Sequence, residues 1–290
     1  MKEDRLFYCI VDVIVCLILI IILYPLIFIV SSSFSSTEAV ISGRVLLFPV
    51  DFSLEGYKAV FKTNDVLIGY RNSLFYTVVG TFINVSMTMM AAYPLSRKDM
   101  EGRNLLMMIF AFTMIFNGGM IPTYMLIRSL KMLNTPWALL IPGAISVYNL
   151  IITRTYIQTS IPGELLEASK IDGCSDSKYL LKIVLPLSKP VIAVITLYYA
   201  IGHWNAYFNA FLYITNEKLF PLQLVLRNIL LANQIDGSMV TDPELLRVKQ
   251  GLADLLRYSL IVVSSVPVLI IYPFIQKHFV KGVMIGSIKG

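Results

Sequence analysis

Residues 161–190 read IPGELLEASKIDGCSDSKYLLKIVLPLSKP, and their punctuation predicts two short helices lying outside any long apolar run. Pro162 suits a helix start, where its missing N–H has no intrahelical partner to lose. Glu164 and Glu167 sit near the positive end of that helix's dipole. Gly173 supplies a left-handed stop. Leu165, Leu166, Ala168, Ser169 and Ile171 give the first helix an apolar and small-residue side. After the polar turn Ser175-Asp176-Ser177, a second helix carries Tyr179, Leu180, Ile183, Val184 and Leu185, and Pro186 closes it. Apolar faces on a water-side segment need cover. A partner protein, the chain's own helices or the lipid interface can each provide it.

On both sides of this connector the sequence is dominated by apolar runs. Hydrophobic residues make up 57% of the 290 positions and charged residues only 14%, against roughly 25% charged in an average soluble domain. So few charges cannot cover a water-soluble globule, and so much Leu, Ile, Val and Phe excludes disorder. A hydrocarbon core about 30 Å thick takes about 20 apolar helical residues. Six stretches reach that length, at approximately 8–30, 73–95, 104–127, 136–156, 190–214 and 256–276. The first holds one charge, Asp12; it is too long for a cleaved signal peptide and has no A-x-A site. Prolines 25, 122, 142, 267 and 273 fall in or near these runs, which membrane helices tolerate where neighbours re-satisfy the freed carbonyl. The expectation is an all-α membrane protein in which 1–290 form a single transmembrane domain of six helices.

Lys and Arg in the loops orient such a chain. The N-terminus, loop 96–103, segment 157–189 and the C-terminal tail hold twelve basic residues, and the opposite loops hold eleven spread over far more chain. The denser group marks the cytoplasmic side, with both termini there. The outer loops run roughly 31–72, opening on a serine cluster, and 215–255, where an apolar run is followed by a polar excursion. The net charge of +6 is scattered rather than striped, so no nucleic-acid partner is expected. Cys9, Cys16 and Cys174 fit no disulfide framework, and His203 and His278 are too isolated for a metal site. No G-x-x-x-x-G-K-[ST] phosphate loop occurs, so the chain is not expected to hydrolyse ATP.

The connector resembles the EAA loop of binding-protein-dependent ABC importer permeases: E-A-A, three residues, Gly, nine residues, Ile, one residue, Leu-Pro. This chain has Glu167-Ala168-Ser169, then Gly173, Ile183 and Leu185-Pro186, with every interval matched and Ser169 as the one departure. The segments 133–142, 183–195, 202–210, 220–230 and 280–290 are similar to carbohydrate-importer permeases of the maltose-transporter (MalG-like) type, in particular the LplC-like branch linked with complex oligosaccharides. The resemblance implies a type I ABC importer permease fold in a bacterial cell membrane. It also implies a second permease subunit, two cytoplasmic ATPase subunits holding ATP and magnesium, and an external solute-binding protein that delivers an oligosaccharide. No cofactor is implied on this chain. Glu167, Ala168, Ser169, Asp172, Gly173, Ile183, Leu185 and Pro186 would then form the coupling contact with the ATPase, and the tail 280–290 would reach toward the same interface or rest on lipid headgroups.

The fifth run is rich in aromatic and amide side chains. On one continuous helix, Asn205 and Asn209 would share a face, with Trp204 and Phe208 beside it. Sugars favour stacking surfaces with amide hydrogen bonds, so these four are candidates for the substrate pathway. Helix–helix packing and an interfacial aromatic belt are the competing readings. Asn117-Gly118-Gly119 in the third run marks a notch or gate, and Asn149 is a further cavity candidate. Three other functions compete. An ABC permease for a non-sugar solute shares most of the features. A membrane-embedded polysaccharide-synthesis protein needs an acid–base pair, and a secondary transporter needs a midplane carboxylate; no such group stands out here.

Overall fold

The computed structural model describes residues 2–232 and 251–270, and among these it is helical without a strand. Helix α1 (Lys2–Ser33) contains no glycine, and Pro25 is its one breaker. No part of its most apolar window, with mean hydropathy 3.4, is buried. Short helices α2 (Thr37–Ile41) and α3 (Glu55–Lys62) follow, then the long α4 (Asn64–Ser96). In α4 the usual polarity is inverted. Asn72, Ser73, Thr81, Asn84 and Thr88 are buried, while Leu74, Val78 and Phe82 are exposed, Phe82 to 74%. Polar groups turned inward and bulky apolar ones outward are what a lipid solvent selects.

Two of the remaining apolar segments are sharply bent. Helices α5 (Arg103–Ile115) and α6 (Met120–Ser129) meet at 114° across Asn117-Gly118-Gly119, where Asn117 Oδ1 accepts from the Gly119 N–H at 2.9 Å. The run 136–156 contains the one-turn α7 (Trp137–Leu140), a break, and the first part of α8 (Val147–Ser160), whose start is capped by Ser146. The connector forms α9 (Gly163–Ile171) and α10 (Asp176–Leu187), and α10 meets α11 (Lys189–Trp204) at 81°. Within α10 the Leu185 N–H reaches back to Leu180 O, a π turn just before Pro186, where a regular α turn would meet the proline ring. Helices α12 (Phe208–Tyr213), α13 (Leu222–Ala232) and α14 (Gly251–Ile270) complete the described chain.

Among the described residues three helices are long and apolar enough to cross a membrane, and up to five if each bent pair counts as one span. The expected stretches 8–30 and 73–95 lie within α1 and α4, and 104–127 covers the bent α5–α6 pair. The polar excursion after α13 and the tail 280–290 lie outside the described residues, as does the end of the sixth expected run.

The chain divides into two compact units, one from 1–67 with 225–267 and the other from 68–224 with 268–290. In the first unit α1 runs on to Ser33, into the serine cluster expected to open an irregular loop, and the loop folds back on those serines. Ser35 Oγ accepts from Val50 N–H at 3.0 Å and donates to Ser31 O at 2.7 Å. In the second unit a core of Met89, Ala92, Tyr93, Leu95, Leu150, Ile157, Tyr179 and Val184 joins α4 and α8 to the connector. A second tie links the start of α4 to the chain after α12. Asn72 donates to Lys218 O and Phe220 O at 2.8 and 3.0 Å, and Ser73 Oγ accepts from Leu222 N–H at 2.8 Å.

Candidate functional site: connector helix and intramembrane cavity

The connector is the more regular of two candidate regions. Helix α9 begins after Pro162, carries Glu164 in its first turn and Lys170 in its last, and ends in a complete Schellman turn. Cys174 N–H bonds to Ser169 O at 2.9 Å and Gly173 N–H to Lys170 O at 3.1 Å, with Gly173 at φ +68°. Ser175 then caps α10 by accepting from Lys178 N–H at 3.4 Å. Packing divides the expected residues between two sides. Ser169 is buried and donates to Leu166 O at 2.8 Å, while Ile183 and Leu185 are half-buried against the core beside Tyr179. Burial pushes the Tyr179 phenol up from its ordinary value. Glu167, Ala168, Asp172, Gly173 and Pro186 lie in the open. So do four large apolar side chains, Leu165, Leu181, Leu187 and, at 86% exposure, Ile171.

The second region is a cavity of about 280 Å³ bordered by polar groups from four segments, among them Asn84, Ser146, Tyr198, Tyr199, His203 and Asn209. Its floor is the break between α7 and α8. Asn84 Nδ2 donates to Gly143 O at 2.8 Å and Ala144 O at 3.0 Å, carbonyls lying within that break. With both donors spent, the Asn84 oxygen must accept, so His203 Nε2, 2.8 Å away, carries the proton. The imidazole is thereby fixed in its Nε2–H tautomer with Nδ1 as an acceptor. Tyr199 OH accepts from Ser146 N–H at 2.9 Å and shares a 2.7 Å bond with Thr88 Oγ1.

Of the four residues expected along the pathway, Asn209 borders this cavity. Trp204 is buried with its ring edge-on to Tyr70 at 5.5 Å, Asn205 is the C-cap of α11, and Phe208 opens α12 half-exposed. The chain breaks at 205–207, so Asn205 and Asn209 stand on different helices rather than on one face. Asn149 is buried in the first turn of α8. Asn84 was not singled out from sequence, although an amide inside an apolar run was visible there. Tyr199 and His203 belong to the aromatic-rich fifth run, but nothing in the sequence ties them to their partners on α4 and in the break. Among the described residues no group of three His, Cys, Asp or Glu side chains could hold a metal.

Residues 66–285 match the family described as "Binding-protein-dependent transport system inner membrane component". The chain belongs to this family, the membrane-embedded permeases of ABC importers, and has their type I fold. It is 40% identical over 289 residues to the polygalacturonan/rhamnogalacturonan transport system permease protein YtcP of Bacillus subtilis, covering 99% of this chain and 100% of that one. Over 267 residues it is 43% identical to protein LplC of the same organism, covering 92% and 89%. The solved structure of a bacterial ABC transporter involved in importing the acidic polysaccharide alginate contains a chain 35% identical, superposing with a TM-score of 0.88 over 96% of this chain and 98% of that one.

Proposed function

We propose that this chain is one permease subunit of an ATP-driven importer that moves an oligosaccharide, a fragment of a complex acidic polysaccharide, from an external binding protein into the cell. A second permease completes the pathway, and two ATPase subunits bind and hydrolyse ATP with magnesium. In this reading six membrane segments, the third bent between α5 and α6 and the fourth broken between α7 and α8, leave both termini and the connector on the ATPase side. The relatives that handle polygalacturonan/rhamnogalacturonan and alginate support the substrate class. One observation carries the coupling role: a rigid helix, sealed by the Schellman turn, that leaves Leu165 and Ile171 uncovered on the face bearing Glu167 and Ala168. Small Ala168 admits a close backbone, and Glu167 offers a charge-assisted bond to fix register.

With Cys9, Cys16 and Cys174 replaced by serine, Ile171→Cys is expected to cross-link to a cysteine in the ATPase surface of the assembled complex. The yield should change when ATP and vanadate are added. No cross-link from any tested ATPase position in a fully assembled complex removes the docking role.

The cavity supports a passage for sugar hydroxyls lined in part by this chain. Asn209→Ala is expected to lower uptake of an oligogalacturonide while basal ATP hydrolysis and assembly stay intact. If Asn209 instead holds helices together, its loss costs about 0.6–2 kcal/mol of packing and shows as a lower melting temperature with uptake per assembled complex unchanged.

A further inference from the structure

The largest ion-pair cluster among the described residues centres on Arg97 and includes Lys170 of α9. Arg97 follows the last turn of α4, and its side chain is only 13% exposed. Its Nε and Nη2 clasp both oxygens of Asp99 at 2.8 and 2.5 Å, while Nη1 donates to Tyr93 OH at 3.0 Å and to Asp176. Asp99 Oδ2 also takes Lys170 Nζ, in the last turn of α9, at 3.0 Å. Asp176 is the first residue of α10. One guanidinium therefore reaches α4, the 97–102 turn and α10 directly, and α9 through Asp99. Lysine could not do this, because it lacks the planar fork.

The carbonyls that α4 leaves without helical partners are taken as well. Arg154 Nε donates to Leu95 O at 2.9 Å, Gln158 Nε2 to Ser96 O at 3.2 Å, and Arg103 Nη1 to Arg97 O at 3.0 Å. The electrostatics agree with the geometry. Hydrogen bonds from Arg97 and Lys170 hold the Asp99 carboxyl well below the usual carboxylate range, and the Asp99 and Asp176 carboxylates push Arg97 further up. Asp99 and Arg97 are therefore both charged at physiological pH. Without Arg97, two carboxylates would face each other above a buried phenol.

We propose that Arg97 is a positioning residue that locks both connector helices to the end of α4, so that α4 and the connector travel as one body. The cavity residues Asn84 and Thr88 ride on the same α4, with Asn84 about 20 Å from Arg97 at 1.5 Å per residue. Displacement of the connector is thus delivered to the cavity through side-chain bonds to α4 as well as through the backbone of the 97–102 turn. The proposal rests on the reading of the connector as the ATPase contact.

Spin labels at Ile171→Cys on the connector and Phe82→Cys on the exposed side of α4 test it in the complete, membrane-reconstituted importer with native cysteines replaced. The probe is magnesium-ATP with vanadate. With Arg97 intact, the distance between the labels should be the same in the nucleotide-free and trapped states. In Arg97→Gln it should shift or broaden by several ångströms on trapping. Basal ATP hydrolysis should persist, and stimulation by binding protein charged with oligogalacturonide should fall several-fold. Asp176→Asn, which keeps the Arg97–Asp99 fork, should free α10 with a smaller shift and serves if Arg97→Gln does not assemble. A label distance that changes on trapping with Arg97 intact, or that stays as constant in both variants as with Arg97 intact, overturns the lock. An absent Ile171→Cys cross-link with the lock signature intact overturns the docking reading alone.

Discussion

Gly80→Ala is expected to destabilise the detergent-solubilised permease by about 2–4 kcal/mol, seen as a lower melting temperature and a smaller yield of assembled complex. Three imidazole atoms of His203 would lie inside 3.0 Å of the new methyl carbon. The ring cannot retreat freely, because its Nε2–H is held by Asn84. Overpacking of this kind costs about 1–3 kcal/mol, and losing the intramembrane hydrogen bond adds about 0.6–1.7 kcal/mol. In a His203→Ala background those three ring atoms are gone, so there Gly80→Ala should cost little. A cycle measured on all four proteins separates the clash from any general effect on α4. Equal losses in both backgrounds would show that the imidazole is not what the glycine accommodates.

The second large effect falls on transport rather than stability. Gly173 has φ +68° and no atom within 4 Å of where a Cβ would stand, so a side chain there meets a conformational penalty and no collision. An L-residue in this region costs about 1–2 kcal/mol, and a β-branched one sits at the unfavourable end. Gly173→Val should open the Schellman turn and reduce both uptake and binding-protein-stimulated ATP hydrolysis by about tenfold, the equivalent of 1.4 kcal/mol. Membrane insertion and assembly should be unaffected. Gly173→Asn, which tolerates the left-handed region, should retain most activity. Full activity in an assembled Gly173→Val complex would falsify the coupling assignment.

These two positions also show what a single sequence can reveal. Gly173 was legible because its role is local: a glycine after a helix-forming run, in a turn whose bonds, Gly173 N–H to Lys170 O and Cys174 N–H to Ser169 O, reach only a few positions back. The connector helices and their caps were readable for the same reason, as were the apolar runs. Gly80 was not legible. It needs no special backbone angle, and its reason for being small is a ring 123 residues away. The breaks at 141–146 and 205–207 were hidden because each lies inside a stretch long enough to be read as one span. What tolerates the first break is the amide of Asn84 on another helix. Reading Asn205 and Asn209 as one face assumed a continuous helix, and three irregular residues after Trp204 removed it.

The two hydrogen bonds from Asn84 also bear on how the chain enters the bilayer. An unpaired carbonyl in hydrocarbon costs several kcal/mol, so a segment containing the Gly143–Ala144 break is a poor candidate to leave the translocon alone. Asn84 precedes those carbonyls by 59 and 60 residues, so α4 emerges first and its amide is already in place when the broken segment arrives. Tyr199, which satisfies Ser146 N–H, follows 53 residues later. Biogenesis of this region is therefore ordered. The break is accepted against an earlier helix and sealed by a later one, and a chain severed between them would leave the fourth segment half-satisfied.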